Sequence, residues 1–409
     1  MSDFEKICDY IEKNRQKAIE LETVLTAIPA LAPESGGNGE LAKCEALEKW
    51  LKENGINDLE RFDAADDRVE SKIRPNLIVT IKGKDDTKSL WIMSHMDVVP
   101  AGEPALWHTD PFTVVEKDGK LYGRGVEDDQ QGLVCSVMAA LALNACGIVP
   151  QYTVKLLFVA DEEVGSAYGI QHLLNNYVIF GKDDLIIIPD GGDEKGETIE
   201  IAEKNLLWGK FRTIGKQAHG STPDSGINAH LAACDLALKL NALESDLTER
   251  DDLFDPPRST FQPTKKEANV PNINTIPGED VFYMDCRILP CYSLDFIRGE
   301  IKKRVAQTEA KYSVKIEFTE EQAVESPATP KNAEVVEVLG EALKRVLKIE
   351  PKLIGIGGGT VGAYLRKAGF NAVVWSLQDE TMHQPDEYCV IQNLIDEAKV
   401  LASVMVKNS

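Results

Sequence analysis

The sequence predicts an α/β protein with a mixed, largely parallel sheet flanked by helices, into which a smaller α+β domain is inserted. Helix-like and strand-like segments alternate up to about residue 203, which is typical of a largely parallel sheet. This alternating pattern gives way to a different one near Asn205, and it returns after about residue 322. A chain of 409 residues is also too long for one small core. We therefore expect two domains.

The expected boundaries follow this change of texture. Residues 1–204 and 321–409 would form the first domain, and residues 205–320 would form the inserted one. An insertion is reasonable because inserted domains bring their chain ends close together.

The elements of the first domain follow from apolar patterning. Apolar residues recur at helical spacing near the start of the chain, and short apolar runs predict strands. A helix that begins after Asp128 and Asp129 would end at Gly147. The predicted elements are a helical segment at 1–22, strands at 77–81, 89–94, 153–160 and 185–188, helices at 132–144 and 332–347, strands at 352–356 and 372–376, and a C-terminal helix.

The inserted domain is predicted from the same signals. Its elements are an edge-type strand at 206–214, a helix at 226–242, a charged, proline-bearing loop at 251–268, a strand at 281–289, a helix at 293–311 and a strand at 314–318. Asn228 is a candidate cap for the first of these helices.

Composition limits the classes of partner. A net charge of −22 argues against nucleic acid and anionic membranes, because both would be repelled. No apolar run reaches the ~20 residues of a membrane helix, and no secretory signal is visible. Eight cysteines are scattered without a Cys-x-x-Cys pair, which is typical of a reducing compartment. We expect a cytoplasmic protein.

Polar residues stand at the ends of three predicted strands. Buried acidic side chains are costly unless a cation lies beside them, and ligands gather at the carboxyl ends of strands in open α/β sheets. Histidine and carboxylates suit zinc, manganese or cobalt. We therefore predict a metal site, with two metals. The residues are Asp161, Glu162 and Glu163 after 153–160, His95 and Asp97 after 89–94, and Asp190 after 184–189.

Several of these residues have a second interpretation. An isolated strand-end histidine such as His95 is often structural, although the Asp97 carboxylate can hold its second ring nitrogen. Asp128 and Asp129 are ordinary helix-cap candidates, but one of them can bridge two cations. If the strand geometry continues, Glu162 and Glu163 point to opposite sides, so that one binds metal and the other acts as a base.

Five motifs in order resemble the M20 family of co-catalytic metallopeptidases and amidohydrolases, and the likeness spans nearly the whole chain. They are His95-x-Asp97, Gly123-Arg124-Gly125-x-x-Asp128, Asp161-Glu162-Glu163-x-Gly165, Asp190, and His383-x-Pro385-x-Glu387. The resemblance extends to Gln217-Ala218-His219-Gly220-Ser221, Asn274-Thr275-Ile276-Pro277-Gly278 and Gly357-Gly358-Gly359-Thr360.

The resemblance implies a role for each position. Asp128 would bridge two divalent metals, zinc first, with cobalt or manganese as alternatives. His95 and Asp190 would complete one metal, and Glu163 and His383 the other. Glu162 would be the general base, and Asp97 would support catalysis through His95.

For the inserted domain, the resemblance implies a lid that also forms a homodimer. His219 would reach the substrate carbonyl, and Asn274, Arg287 and Thr360 would bind the substrate. A structural salt bridge remains an alternative for Arg287.

The chain also departs from the family pattern. Gln130 stands where many members carry lysine, and Tyr364 replaces an arginine of the desuccinylase branch. Asp190 stands where deacylase branches carry glutamate, which favours a dipeptidase or aminopeptidase. We expect a small peptide with a free amino end as substrate. An N-acyl amino acid deacylase is the alternative, and a non-catalytic homologue that binds metal is a third hypothesis.

Overall fold

The computed structural model describes residues 1–406. The chain forms two compact units. The first contains Met1–Ile201, Thr329–Ile354 and the chain from Thr360 onward, and the second contains Ala202–Ala328 with Gly355–Gly359. The second unit thus includes the glycine-rich segment, which the predicted boundaries assign to the first domain.

The helices and strands alternate as the sequence suggests. Up to Glu203 they are α1 (Asp3–Lys13), α2 (Arg15–Thr26), α3 (Leu41–Glu53), β1 (Leu59–Arg61), β2 (Ala64–Ala65), β3 (Ile73–Arg74), β4 (Leu77–Ile81), β5 (Asp85–His95), β6 (Val115–Lys117), β7 (Lys120–Tyr122), α4 (Gln130–Cys146), β8 (Tyr152–Val159), α5 (Ile170–Asn176), β9 (Leu185–Asp193) and β10 (Thr198–Glu203). From Asn205 to Val324 they are β11 (Asn205–Ile214), β12 (Ala218–His219), α6 (Ala229–Asn241), α7 (Leu243–Asp246), β13 (Thr260–Lys266), β14 (Thr275–Ile276), β15 (Glu279–Ile288), α8 (Leu294–Tyr312) and β16 (Lys315–Val324). The last elements are α9 (Glu334–Val346), β17 (Lys352–Ile356), α10 (Val361–Lys367), β18 (Ala372–Leu377), β19 (Tyr388–Val390) and α11 (Ile391–Val406).

The main sheet has the strand order β1-β4-β8-β5-β9-β18-β10-β17. Its central strands β8, β5, β9 and β18 run parallel. β4 is antiparallel to β8, and β10 is antiparallel to β18. The predicted mixed sheet flanked by helices is therefore confirmed. Because β8, β5 and β9 are parallel neighbours, their carboxyl ends meet at one edge.

Helices cover both faces of this sheet. α4 lies against β5, β8 and β9 on one side, whereas α5 and α10 share a core cluster with Trp91 and Met93. α4 also packs against α1, α2 and α11. This explains why it is apolar nearly all round. Within residues 1–406, no helix is both long enough and apolar enough to cross a membrane.

The second unit contains a separate antiparallel sheet in the order β13-β15-β11-β16. Residues of α6 and α8 share one hydrophobic core with β11, β13 and β15. Burial alternates along β11, as expected for an antiparallel strand with one covered face. Asn228 caps α6, since its side chain accepts a hydrogen bond from the backbone of Leu231.

Two predictions for this unit are wrong. Residues 206–214 do not form an edge strand, because β11 lies between β15 and β16. The predicted loop 251–268 contains β13, which pairs with β15. Pro263 interrupts the register of β13, and proline is tolerated at such an edge position. Proline and charge therefore concealed a real strand.

Candidate metal centre

Two neighbouring strands deliver His95 and Asp190. His95 is the last residue of β5 and only 2% exposed. Asp190 lies within the irregular end of β9, rather than after the strand as predicted. The two side chains approach each other, with 3.9 Å between His95 Nε2 and Asp190 Oδ1. β5 and β9 pair through Ile92 and Ile187, so His95 and Asp190 each lie three residues beyond the last pair.

The second nitrogen of His95 is fixed by backbone. Its Nδ1 lies 3.0 Å from the backbone oxygen of Asp97 and 3.6 Å from the Asp97 carboxylate. The carbonyl oxygen only accepts hydrogen bonds, so Nδ1 carries a hydrogen and Nε2 is the ring nitrogen that faces the other candidate ligands. The Asp97 carboxylate, which was predicted to hold this nitrogen, also faces it but lies farther away than the carbonyl oxygen.

The carboxylate of Asp97 instead holds the loop after β8. It accepts hydrogen bonds from the backbone N–H groups of Glu162 and Glu163, at 3.0 and 3.1 Å. The loop leaves the strand at Asp161, which has a left-handed φ of 67°, and Glu162–Val164 forms a 3-10 turn. The condition for strand alternation of the two glutamates is therefore not met, since β8 ends at Val159.

Asp128 and Asp129 lie at the start of α4, but neither acts as the predicted cap. Asp129 occupies the cap position without a side-chain capping bond. Its carboxylate accepts a hydrogen bond from the backbone N–H of His95, 3.0 Å away. Asp128 points its carboxylate towards the histidines, and the peptide bond between the two aspartates is cis.

Asp128 divides its two oxygens between two groups of candidate ligands. Oδ1 lies 2.9 Å from His95 Nε2, and Oδ2 lies 3.1 Å from His383 Nε2. His383 Nε2 is also 3.1 Å from Glu163 Oε2. The groups are therefore His95, Asp128 and Asp190, and Asp128, Glu163 and His383, with ligand atoms within 4.8 Å of one another in each.

The charges of these groups fit divalent cations. Burial raises the pKa of Asp190 and of Glu163, so the buried cluster holds more carboxylate than its surroundings stabilise. Hydrogen bonds with Asp128 and Glu163 raise the pKa of His383 to about 10. In the metal-free protein, a protonated imidazole thus stands where a cation would bind. Imidazole and carboxylate donors suit zinc, cobalt or manganese.

Glu162 belongs to neither group. Burial raises the pKa of its carboxyl to about 8, and the nearby Glu163 and Asp97 carboxylates add to the effect. Asp161, by contrast, pairs with Arg74 at 3.2 Å and accepts a hydrogen bond from the backbone of Tyr168. The first acidic residue of the motif therefore supports the loop.

The remaining predicted residues lie in different places. His219 is exposed, with its Nδ1 2.8 Å from the Ser221 hydroxyl, and the backbone of Asn274 accepts a hydrogen bond from the neighbouring Gly220. Arg287 makes two hydrogen bonds to Asp285 and one to the carbonyl of Gly357.

These three predicted residues belong to the second unit, whereas Thr360 caps α10 in the first. The structural salt bridge considered for Arg287 is therefore present.

Sequence reasoning missed a buried lysine that contacts the start of α4. Lys43, on α3, is 1% exposed and donates a hydrogen bond of 3.0 Å to Gln130 Oε1. Gln130 in turn donates to the Thr26 hydroxyl. Gln130 stands where the resemblance leads one to expect a lysine, so the absent lysine was the available signal.

Comparisons with known proteins agree with this geometry. Residues 91–407 match the sequence model of the family described as peptidase family M20/M25/M40. An uncharacterised metallohydrolase of Methanocaldococcus jannaschii is 42% identical over 407 residues, covering 95% of this chain and 99% of its own. A succinyl-diaminopimelate desuccinylase of Nautilia profundicola is 29% identical over 299 residues, covering 72% of this chain and 77% of its own.

The fold is also similar to a solved structure. Aminopeptidase PepT from Bacillus cereus superposes with a TM-score of 0.77 at 19% identity, covering 96% of this chain and 98% of that chain. At this identity the likeness concerns the fold alone. The family match and the archaeal relative together show that this chain belongs to peptidase family M20/M25/M40 and is a metallohydrolase.

Proposed function

We propose that this metallohydrolase cleaves the peptide bond of a dipeptide or short peptide with a free amino end. One observation carries the proposal: two candidate ligand groups share Asp128, while the half-buried Glu162 stays outside both. Five residues would thus hold two divalent metals, for which zinc is our first choice. The sixth residue, Glu162, would be left for proton transfer. The five are His95, Asp128, Glu163, Asp190 and His383.

Glu162 would carry the proton transfer. Two bound divalent cations would lower the pKa of a water molecule and polarise the substrate carbonyl. Glu162 takes the proton from the attacking water and returns it to the leaving amine. Asp97 holds this glutamate in place through its backbone N–H, so its contribution to catalysis is positioning.

The choice of a peptide substrate rests on Asp190. Among the M20 enzymes that these motifs resemble, aspartate at this position goes with aminopeptidases and dipeptidases. Deacylation of an N-acyl amino acid is the second candidate, because the desuccinylase relative is 29% identical over 72% of the chain.

The second unit would act as a lid and as the dimer contact. His219 would donate a hydrogen bond to the developing oxyanion, and Asn274, Arg287 and Thr360 would bind the substrate. The exposed side chains of Leu231 and Leu238, seven residues apart on α6, support a homodimer through this unit. Analytical sedimentation tests this proposal. We expect the native protein to sediment as a dimer and the Leu231→Glu/Leu238→Glu variant to sediment as a monomer.

The test of substrate class is a panel of paired substrates. Protein reconstituted with zinc, cobalt or manganese would be assayed on free dipeptides and on N-acetyl and N-succinyl amino acids. Cleavage of the free dipeptides alone supports the proposal. Cleavage of the acylated compounds alone would replace it with a deacylase. If two metals bind but no substrate of either kind is cleaved, the peptidase proposal fails.

A further inference from the structure

Two buried glutamates connect the segments that carry Asp128 and His383. Glu127 is 2% exposed and Glu387 is fully buried. Glu127 directly precedes Asp128, and Glu387 follows His383 by four residues. None of the roles proposed above uses either side chain.

Glu387 holds the turn before α4. Its carboxylate accepts hydrogen bonds from the backbone N–H groups of Gly125, Glu127 and Asp128, at 3.0 to 3.2 Å. It also accepts one of 2.6 Å from the buried Arg124 guanidinium. The backbone of Asp128 is thereby tied to the loop that contains His383.

Glu127 makes the same connection in the opposite direction. Its carboxylate accepts hydrogen bonds from the backbone N–H of Asp379, 2.7 Å away, and from the backbone N–H of Thr381. It accepts another of 2.7 Å from the Thr381 hydroxyl. Each segment thus contributes one carboxylate that binds the backbone of the other.

We propose that Glu127 and Glu387 are positioning residues that set the distance between Asp128 and His383, and so complete the second ligand group. This inference rests on the metal-binding role proposed for those two residues. A carboxylate suits the task because it only accepts hydrogen bonds, and every group that hydrogen-bonds to these two is a donor.

The effect should be selective for one metal. His95 pairs with Val159 of β8, and Asp190 follows the part of β9 that pairs with β5. His383 lies in a loop, with a left-handed φ of 62°. Loosening the loop should therefore weaken binding at the group of Asp128, Glu163 and His383, and leave the other group nearly unchanged.

Glu127→Gln is the better of the two variants. Removing the charge of Glu387 would leave Arg124 buried without its partner, which is costly for folding. Glu127 forms no ion pair within the described residues 1–406 and accepts only from neutral donors. Glutamine keeps the shape but turns an N–H₂ group towards Thr381. Glu380→Gln, in the same loop with an exposed side chain, is the matched control.

The experiment measures stepwise zinc binding by chelator competition, with metal content per chain as a second readout. We expect Glu127→Gln to weaken one of two zinc steps about 10- to 100-fold and to leave the other within about twofold. Hydrogen exchange of residues 379–387 should rise in the same variant. Glu380→Gln should match the native protein in both measurements.

Two results would overturn the inference: unchanged zinc binding in Glu127→Gln, or equal weakening of both steps. If that variant does not fold, Thr381→Val removes one hydroxyl donor and should weaken the same step by a smaller factor. A native value for this variant would reject the idea. If the native protein itself binds fewer than two metals, the proposed function fails instead.

Discussion

The two ligand groups around Asp128 are built on different parts of the fold. His95 and Asp190 lie on neighbouring parallel strands, three residues beyond the last pair between these strands. Glu163 and His383 lie on turns, and their positions depend on hydrogen bonds to distant residues. The first histidine is buried, whereas the His383 side chain is 54% exposed. A sheet therefore supplies one half of the centre, and loops supply the other.

The largest effect should come from the residue that belongs to neither half. Glu162→Gln removes the proposed base but keeps the size of the side chain and all five candidate ligands. We expect kcat/KM to fall by about 10²- to 10⁴-fold and metal content to stay at the native level. Turnover near the native rate would reject Glu162 as the base.

Replacing each of the two histidines in turn tests whether the two ligand groups are built separately. His383→Ala should lose the metal held by turns and keep the other, leaving about half of the native metal content. His95→Ala should lose more metal and also lower the melting temperature, because it leaves buried carboxylates without a partner. Elemental analysis and thermal melting measure both. Identical behaviour of the two variants would mean that the halves are not separately built.

Glu397, a buried residue of α11, leads us to expect a pH effect on stability. It accepts hydrogen bonds from Gln131 on α4 and from the backbone of Leu377 at the end of β18. Burial raises its pKa to about 7, above about 4.3 in unfolded chains. The stabilising effect of its proton is present below pH 4.3 and is lost as pH rises through 7.

We therefore expect the free energy of unfolding of metal-free protein to fall as pH rises from about 4.3 to about 7. In Glu397→Gln the fall should be smaller, by up to about 4 kcal/mol. Denaturant unfolding with a chelator present measures this difference. Parallel pH curves for the two proteins would show that Glu397 does not titrate in this range.

The smallest effect is expected at the exposed rim of the loop half. His108 is 89% exposed, and its ring Nδ1 pairs with Asp386 at 2.5 Å. His108→Ala keeps the backbone N–H that also donates to Asp386, and exposed ion pairs contribute about 1 kcal/mol or less. Zinc binding should change by less than about threefold. A larger loss would show that this exposed pair also supports His383.

The strand half was predictable from sequence, and the loop half only in part. Apolar runs placed His95 and Asp190 at strand ends, because burial and strand period are local properties. The turn of Glu162 and Glu163 depends on Asp97, 65 residues earlier in the chain, so the local pattern could not tell whether the strand geometry continues.

Long-range contacts also explain the other misses. Lys43 looks like an ordinary helix lysine, and its burial becomes evident only through Gln130, 87 residues later. β13 was missed because Pro263 and the flanking lysines resemble a loop until β15 is seen beside it. Pairing partners distant in sequence decide these features, and a single sequence does not name them.

Asp128 gives one oxygen to each ligand group, and this sharing has a thermodynamic consequence. A cation bound on one side withdraws negative charge that the other side would use. The two affinities are therefore linked, and each metal changes the affinity of the other by the same factor. Titrating the metals in either order must give the same total free energy, while the individual steps depend on which group is filled first.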